Sequence, residues 1–263
     1  MRAIRCAVAA VLAAGIVTVV AAQPGGRQFG GGGQTDVNVL VLTNKALQEE
    51  IKITDAQKEK FKPVADKQTE LNKKRGEMFG KGKGGFDKDK MAEIQEEGKK
   101  VAEEVKKVLD AELTSDQKKR LKQISVQVMS VAVFAEPREA KTGGKGGFGG
   151  GQTEEQKATM KEVADTLKLT DAQKSKVKGL VEEYNKDRAS IRTDIFGDTK
   201  GTKGAPDPDK TKEFNTKSAK LTTETMGKIA AELDDTQKTA WKGLVGEPFD
   251  TTKLAPAPMP KKD

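Results

Sequence analysis

The sequence predicts an all-α fold: a tandem repeat of long antiparallel helical hairpins, with short flanking helices and Gly-rich linkers. Three observations lead there. The first is a helix-opening signal used four times, at Ile53-Thr54-Asp55-Ala56-Gln57, Leu113-Thr114-Ser115-Asp116-Gln117, Leu169-Thr170-Asp171-Ala172-Gln173 and Leu233-Asp234-Asp235-Thr236-Gln237. In each copy the Thr or Asp side chain can accept from an amide of the first turn, while the Gln three residues on reaches back to the cap amide. That is a capping box. The second is spacing, 60 residues between the first two copies (53 to 113) and 64 between the last two (169 to 233). The residues after the leading copies also correspond, Gln57-Lys58-Glu59-Lys60-Phe61-Lys62 against Gln173-Lys174-Ser175-Lys176-Val177-Lys178, so the chain reads as a duplication. The third is composition. With 35% hydrophobic and 4% aromatic residues a thick core is out of reach, whereas slender hairpins that bury one stripe per helix need less.

Residues 1–22 read as a secretory signal. Arg2 and Arg5 form a basic start, Ala7 to Val20 an apolar core, and Val20-Ala21-Ala22 a small-residue cleavage site, so cleavage is expected after Ala22. The apolar run falls short of the roughly 20 residues of a membrane span, and a retained anchor is the alternative reading. Cys6, the only cysteine, would leave with the signal, and the sequence has no histidine. A mature chain without either has no thiol chemistry, no serine-histidine catalysis and no imidazole switch, and it lacks the best ligands for zinc and copper. Basic residues number 48 against 40 acidic ones, and the loss of Arg2 and Arg5 leaves 46 against 40. Both signs are interspersed along every helix, the pattern of solvated faces rather than of a nucleic-acid footprint.

Residues 23–35 are a Gly-rich linker, too poor in apolar groups to pack. The first repeat, 36–137, opens with short helices around Val37, Leu42, Leu47 and Ile51. A long helix follows from Asp55 to about Phe79, with Phe61, Val64, Leu71 and Met78 at helical spacing and Pro63 predicting a bend near 59–63. A loop at 81–85 lacks the spacing of a phosphate cradle. Asp87 is expected to cap the next helix, whose stripe Met91, Ile94, Gly98, Val101, Val105 and Val108 keeps steps of three and four and wants a partner helix; Gly98 would let the two backbones approach. Thr114 starts a helix through Leu121, Ile124, Val128 and Ala132, ended by Pro137.

A second Gly-rich linker occupies 138–152. The second repeat, 153–250, opens with a further box, Thr153-Glu154-Glu155-Gln156, and a helix carrying Met160, Val163 and Leu167. Val177, Leu180, Val181, Tyr184, Ile191 and Ile195 mark the next stripe, 198–205 is a loop, and Asp207-Pro208 begins a helix with Phe214, Leu221, Met226 and Ile229. The last helix carries Trp241, Leu244 and Val245 and stops at Gly246, and 251–263 reads as a disordered Pro/Lys tail. Each leading Ile or Leu stands where a hydrophobic staple would use it, but the partner positions hold Lys58, Lys118, Lys174 and Lys238. The apolar residue is therefore expected to dock on another helix.

At Thr54/Gln57, Thr114/Gln117, Thr170/Gln173 and Asp234/Gln237 the chain resembles the LTXXQ-motif (Spy/CpxP-like) proteins, small all-helical proteins of the bacterial periplasm. Members usually carry two motifs per chain and pair into curved, antiparallel helical dimers; the better understood ones are ATP-independent chaperones or envelope-stress modulators. The resemblance implies two family units in one chain over roughly residues 36 to 250, an exported or periplasmic protein, and a monomeric pseudo-dimer in which fused repeats replace two subunits. Partly unfolded envelope proteins would be its clients, and Phe61, Tyr184, Phe214 and Trp241 are candidate contacts as well as candidates for the packed stripe. A passive helical scaffold for one folded envelope partner is the rival reading, and a metal-responsive protein a third. Adjacent carboxylates such as Glu96 and Glu97 point to different helix faces, and no nucleophile stands beside a base, so no enzyme, cofactor or metal is expected.

Overall fold

A computed structural model describes residues 36–80, 88–137, 152–197 and 207–254. The expected signal (1–22) and linker (23–35), the 81–85 loop, the cap at 87, nearly all of the 138–152 linker, the 198–205 loop and the tail beyond 254 lie outside the described residues. The fold is all-α: every regular element among the described residues is a helix. In order these are α1 (Val37–Leu40), α2 (Lys45–Glu50), α3 (Asp55–Gly80), α4 (Lys88–Glu112), α5 (Ser115–Met129), a 3-10 turn (Ser130–Phe134), α6 (Glu154–Leu167), α7 (Asp171–Phe196), α8 (Pro208–Glu232), α9 (Asp235–Val245) and a second 3-10 turn (Thr251–Leu254). Two compact units divide between Lys122 and Gln123, inside α5 and ahead of the 138–152 segment at which the sequence suggests a boundary.

In the earlier unit, α3 and α4 have 26 and 25 residues and lie antiparallel, as the ion pairs Lys67–Glu104 and Lys74–Glu97, both 2.7 Å, require. Such exposed pairs are worth at most about 1 kcal/mol each. The seam is held by burial of Phe61, Val64 and Leu71 on α3 and of Met91, Ile94, Val101, Val105 and Leu109 on α4. The large side chains among them contribute about 1.5–3 kcal/mol each. The α4 stripe closes on Leu109 and not on Val108, because a step of four from Val105 keeps it on the buried face. Pro63 leaves α3 in one piece: Glu59 and Pro63 are both exposed, so water can take the carbonyl that a proline leaves without its donor. Gly98 makes room for a side chain rather than for a backbone, since a Cβ there would lie 2.7 Å from Nη2 of Arg75. Ahead of α3, buried Gln48 donates to the carbonyls of Val41 (2.9 Å) and Leu42 (3.0 Å), which the end of α1 would otherwise leave bare. Arg120 of α5 holds Glu50 of α2 through Nε at 2.9 Å and Nη2 at 2.5 Å.

In the later unit the expected helix through Ala132 is cut short. Ser130 has φ 49°, a left-handed conformation that an α-helix cannot continue through, and the chain turns into the 3-10 segment. The turn sends neighbouring side chains into different clusters. Val131 joins Val177, Val181 and Ile229, whereas Val133 joins Val126, Met129, Met160, Val163, Leu167, Leu233 and Trp241. Phe134 packs on both and tilts against Trp241 at 5.1 Å between ring centroids. The long helices α7 and α8 repeat the lengths of α3 and α4, 26 and 25 residues, and run antiparallel, with Lys176 on Glu232 at 2.7 Å and Tyr184 Oη on Thr222 Oγ1 at 3.1 Å.

The C-terminal turn of α9 is fastened by α5. Buried Gln127 donates to the carbonyls of Val245 (2.8 Å) and Glu247 (2.7 Å) and accepts from the amide of Phe249 (2.8 Å), while Gln123 donates to Gly243 O at 3.0 Å. Residues 251–254, expected to begin a disordered tail, form a 3-10 turn started by Asp250, which accepts from the amide (3.0 Å) and hydroxyl (2.6 Å) of Thr252. Gly246 has φ 64° and lies under the Gln123 side chain, whereas nothing lies within 4 Å of a Cβ at Gly243 in the preceding turn. Gly246→Ala should therefore lower stability by about 1–3 kcal/mol in denaturant unfolding. Gly243→Ala, in a helix interior with open space, should raise it by about 0.5–1 kcal/mol.

Candidate functional site

The four helix-opening boxes meet in two pairs, and their glutamines meet each other. At the start of α3, Thr54 N donates to Gln57 Oε1 (3.0 Å) and Gln57 N to Thr54 Oγ1 (3.3 Å); at the start of α5, Thr114 and Gln117 do the same at 2.9 and 3.3 Å. Beyond this capping exchange, Gln57 Nε2 donates to Gln117 Oε1 at 2.9 Å and Gln117 Nε2 donates back to Gln57 Oε1 at 3.1 Å. The second hydrogen of each amide goes to the backbone just ahead of the opposite box, Gln57 to Glu112 O (2.6 Å) and Gln117 to Lys52 O (2.9 Å). Every donor of both side chains is used, and each oxygen accepts at least twice.

The later unit repeats this arrangement. Boxes at Thr170/Gln173 and Asp234/Gln237 are closed on α7 and α9. Gln173 Nε2 reaches Gln237 Oε1 at 2.8 Å and Gln237 Nε2 reaches Gln173 Oε1 at 3.0 Å. Their remaining hydrogens go to Glu232 O (2.7 Å) and Leu167 O (3.1 Å). Both leading boxes are entered through a left-handed lysine two residues ahead of the cap, Lys52 at φ 57° and Lys168 at φ 46°. The later unit adds the box at Thr153/Gln156 on α6, with bonds of 3.1 and 3.2 Å.

The residues around the boxes explain the missing staple. Lys58, Lys174 and Lys238 turn back onto the first-turn carboxylates Asp55 (2.8 Å), Asp171 (3.1 Å) and Asp235 (3.7 Å). The bond from Lys58 and its charge hold the Asp55 carboxyl below its ordinary pKa. The copy with Ser115 in place of that aspartate sends Lys118 to Asp110 O at 2.6 Å instead. Of the leading apolar residues, Ile53, Leu113 and Leu233 are buried, and Leu169 is half-buried against both clusters of its unit.

The candidate client contacts separate into two groups. Phe61 has no exposed surface and Trp241 only 4%, so packing withdraws both from any client surface. Tyr184 and Phe214 are half-buried. Phe214 lies 5.7 Å from the ring of Phe196 and 5.5 Å beneath the guanidinium of Arg188, a cation–π arrangement. Phe196 and Arg188 are the members of this patch that periodicity alone does not single out.

Comparison with protein-family models, with curated proteins and with solved structures finds no match in any of the three. Among the described residues no group of three or more His, Cys, Asp or Glu side chains is placed to hold a metal ion, and no helix is long and apolar enough to cross a membrane.

A capping box accepts Glu as readily as Gln, but the paired arrangement does not. A carboxylate has no hydrogen to donate, so Gln173→Glu would leave Glu232 O and Gln237 Oε1 without their donors and set negative charge against an acceptor. The expected loss is about 2–4 kcal/mol, larger than the roughly 0.5–2 kcal/mol of Thr170→Ala, which removes only a cap. The folded-state pKa of that Glu would be raised, so its charge penalty is complete above that raised value, shrinks as pH falls through it, and is gone once pH reaches the unfolded value of about 4. Denaturant unfolding of both variants at pH 7 and pH 4, each beside the parent chain, reads all of this; equal losses for the two at pH 7 would reduce the motif to a cap.

Proposed function

We propose that this chain is an exported, ATP-independent chaperone-like or envelope-stress-modulating protein of the LTXXQ-motif kind, whose two units are duplicated copies standing in for the two subunits of a dimer. The observation that supports the duplication is the reciprocal amide bonding of Gln57 with Gln117 and of Gln173 with Gln237, the two pairs differing only in that Gln237 takes the carbonyl of Leu167, one residue earlier than the counterpart of Lys52. What favours client binding is the half-buried pair Phe196 and Phe214 beside Arg188, with half-buried Tyr184 farther back along α7, in a surface where lysines and carboxylates alternate. Such a surface can hold an unfolded segment by partial apolar contact while charges of both signs keep the complex weak and soluble. Nothing in this reading requires a reaction, a nucleotide or a metal.

The purified mature chain should delay aggregation of a reduced or heat-unfolded client in the absence of nucleotide, and Phe214→Ala should weaken that delay several-fold while circular dichroism stays helical. Absence of any delay at a several-fold molar excess would remove the proposal. Recovery of one folded envelope protein in stoichiometric amount, with no delay of aggregation, would favour the scaffold reading.

A further inference from the structure

Matching the two long helix pairs by their motif glutamines brings out a difference in how they are held. Fourteen residues after Gln57 stands Leu71, 1% exposed; fourteen after Gln173 stands Asp187, which is exposed. Between Val181 and Ile195 no residue of α7 is buried. On the partner helices, counted back from Gln117 and Gln237, buried Val105 of α4 corresponds to buried Thr225 of α8, and Met91 to half-buried Thr211. Gly98, over which Arg75 lies, corresponds to Ser218. The buried positions of α8 before Ile229 are thus Ser218, Thr222 and Thr225. Thr222 shares a hydrogen bond with Tyr184, but Ser218 Oγ and Asn215 Nδ2 are buried with no partner. Phe214 and Leu221, at the places of Ile94 and Val101, keep the α8 seam partly apolar but are only half-buried, and a seam that mixes them with buried hydroxyls and two unpaired polar atoms is held less tightly than one of buried Leu, Ile, Met and Val.

We infer that the α7–α8 pair is built to open locally: its outer part, about residues 182–196 with 208–222, separates while the rest of the unit stays folded, and α3–α4 does not do so under the same conditions. Opening uncovers Ile191, Ile195, Phe196 and Phe214 together, a surface suited to an apolar peptide segment. The opening is a property of the chain and stands apart from the client-binding proposal, which can fail without it.

Hydrogen exchange of the full mature chain, read by mass spectrometry at peptide resolution, tests it. Amides of 182–194 and 212–222 should exchange at least about tenfold faster than those at matched distances from the motif glutamines, 66–78 and 92–102. The double variant Ser218→Ala, Thr225→Val nearly keeps the shapes and removes two of the three buried hydroxyls, the unpaired one among them, while the bonded Thr222 stays. It should slow exchange in both α7 and α8 by about five- to tenfold. Equal protection in the two helix pairs would overturn the inference, as would a double variant that folds normally and exchanges no more slowly than the parent.

Discussion

Two primary amides facing each other, each donating to the other's oxygen, tie every long helix of this protein to the start of a helix remote in sequence. A helix N-terminus leaves amide donors without partners, and the neighbouring C-terminus leaves carbonyls without donors. The glutamine pair settles both at once. Its oxygens take the cap amides and its spare hydrogens take the carbonyls of Lys52 and Glu112 in one unit and of Leu167 and Glu232 in the other. Because all of these groups lie at helix junctions, the bonds fix where helices begin and which ends meet. The apolar seams can then be long and thin without losing their register.

That division of labour accounts for the composition. A chain with a third of its residues charged cannot build a deep core, and among the described residues the burial is spread along single stripes and, in the later unit, over the clusters that Val131 and Val133 join. Polar side chains take over at the points where direction changes. Gln48 closes α1, Gln127 closes α9, and Ser130 turns the chain so that Val131 and Val133 serve different clusters. These glutamines are buried, yet each places both of its amide hydrogens on carbonyls, which offsets the cost of burying them.

Much of the fold was legible in the sequence because capping boxes and helical periodicity are local. The helix starts at Asp55, Ser115, Glu154, Asp171, Pro208 and Asp235 follow their signals, and Met160, Val163 and Leu167 are buried as their spacing predicts. The pairing of the boxes was not legible, since it depends on which helix ends meet in space. One hint existed: all four copies use Gln where a capping box would take Glu. The left-handed Ser130 carried no signal at all, because neither glycine nor asparagine, the residues that usually mark such a conformation, stands there. Among the candidate contacts, periodicity could not tell Phe61 and Trp241, locked in the core, from Tyr184 and Phe214, which keep part of their surface, because spacing marks a stripe and not how fully a neighbour covers it.

The account depends on the two amides of a pair acting on each other and not only on their own caps. A double-mutant cycle on Gln173 and Gln237, each changed to Ala singly and together, measures that coupling directly in denaturant unfolding. The account predicts a coupling of about 1 kcal/mol or more within the pair, with Gln57 and Gln173, which share no bond, additive. Additive losses at Gln173 and Gln237 would contradict it.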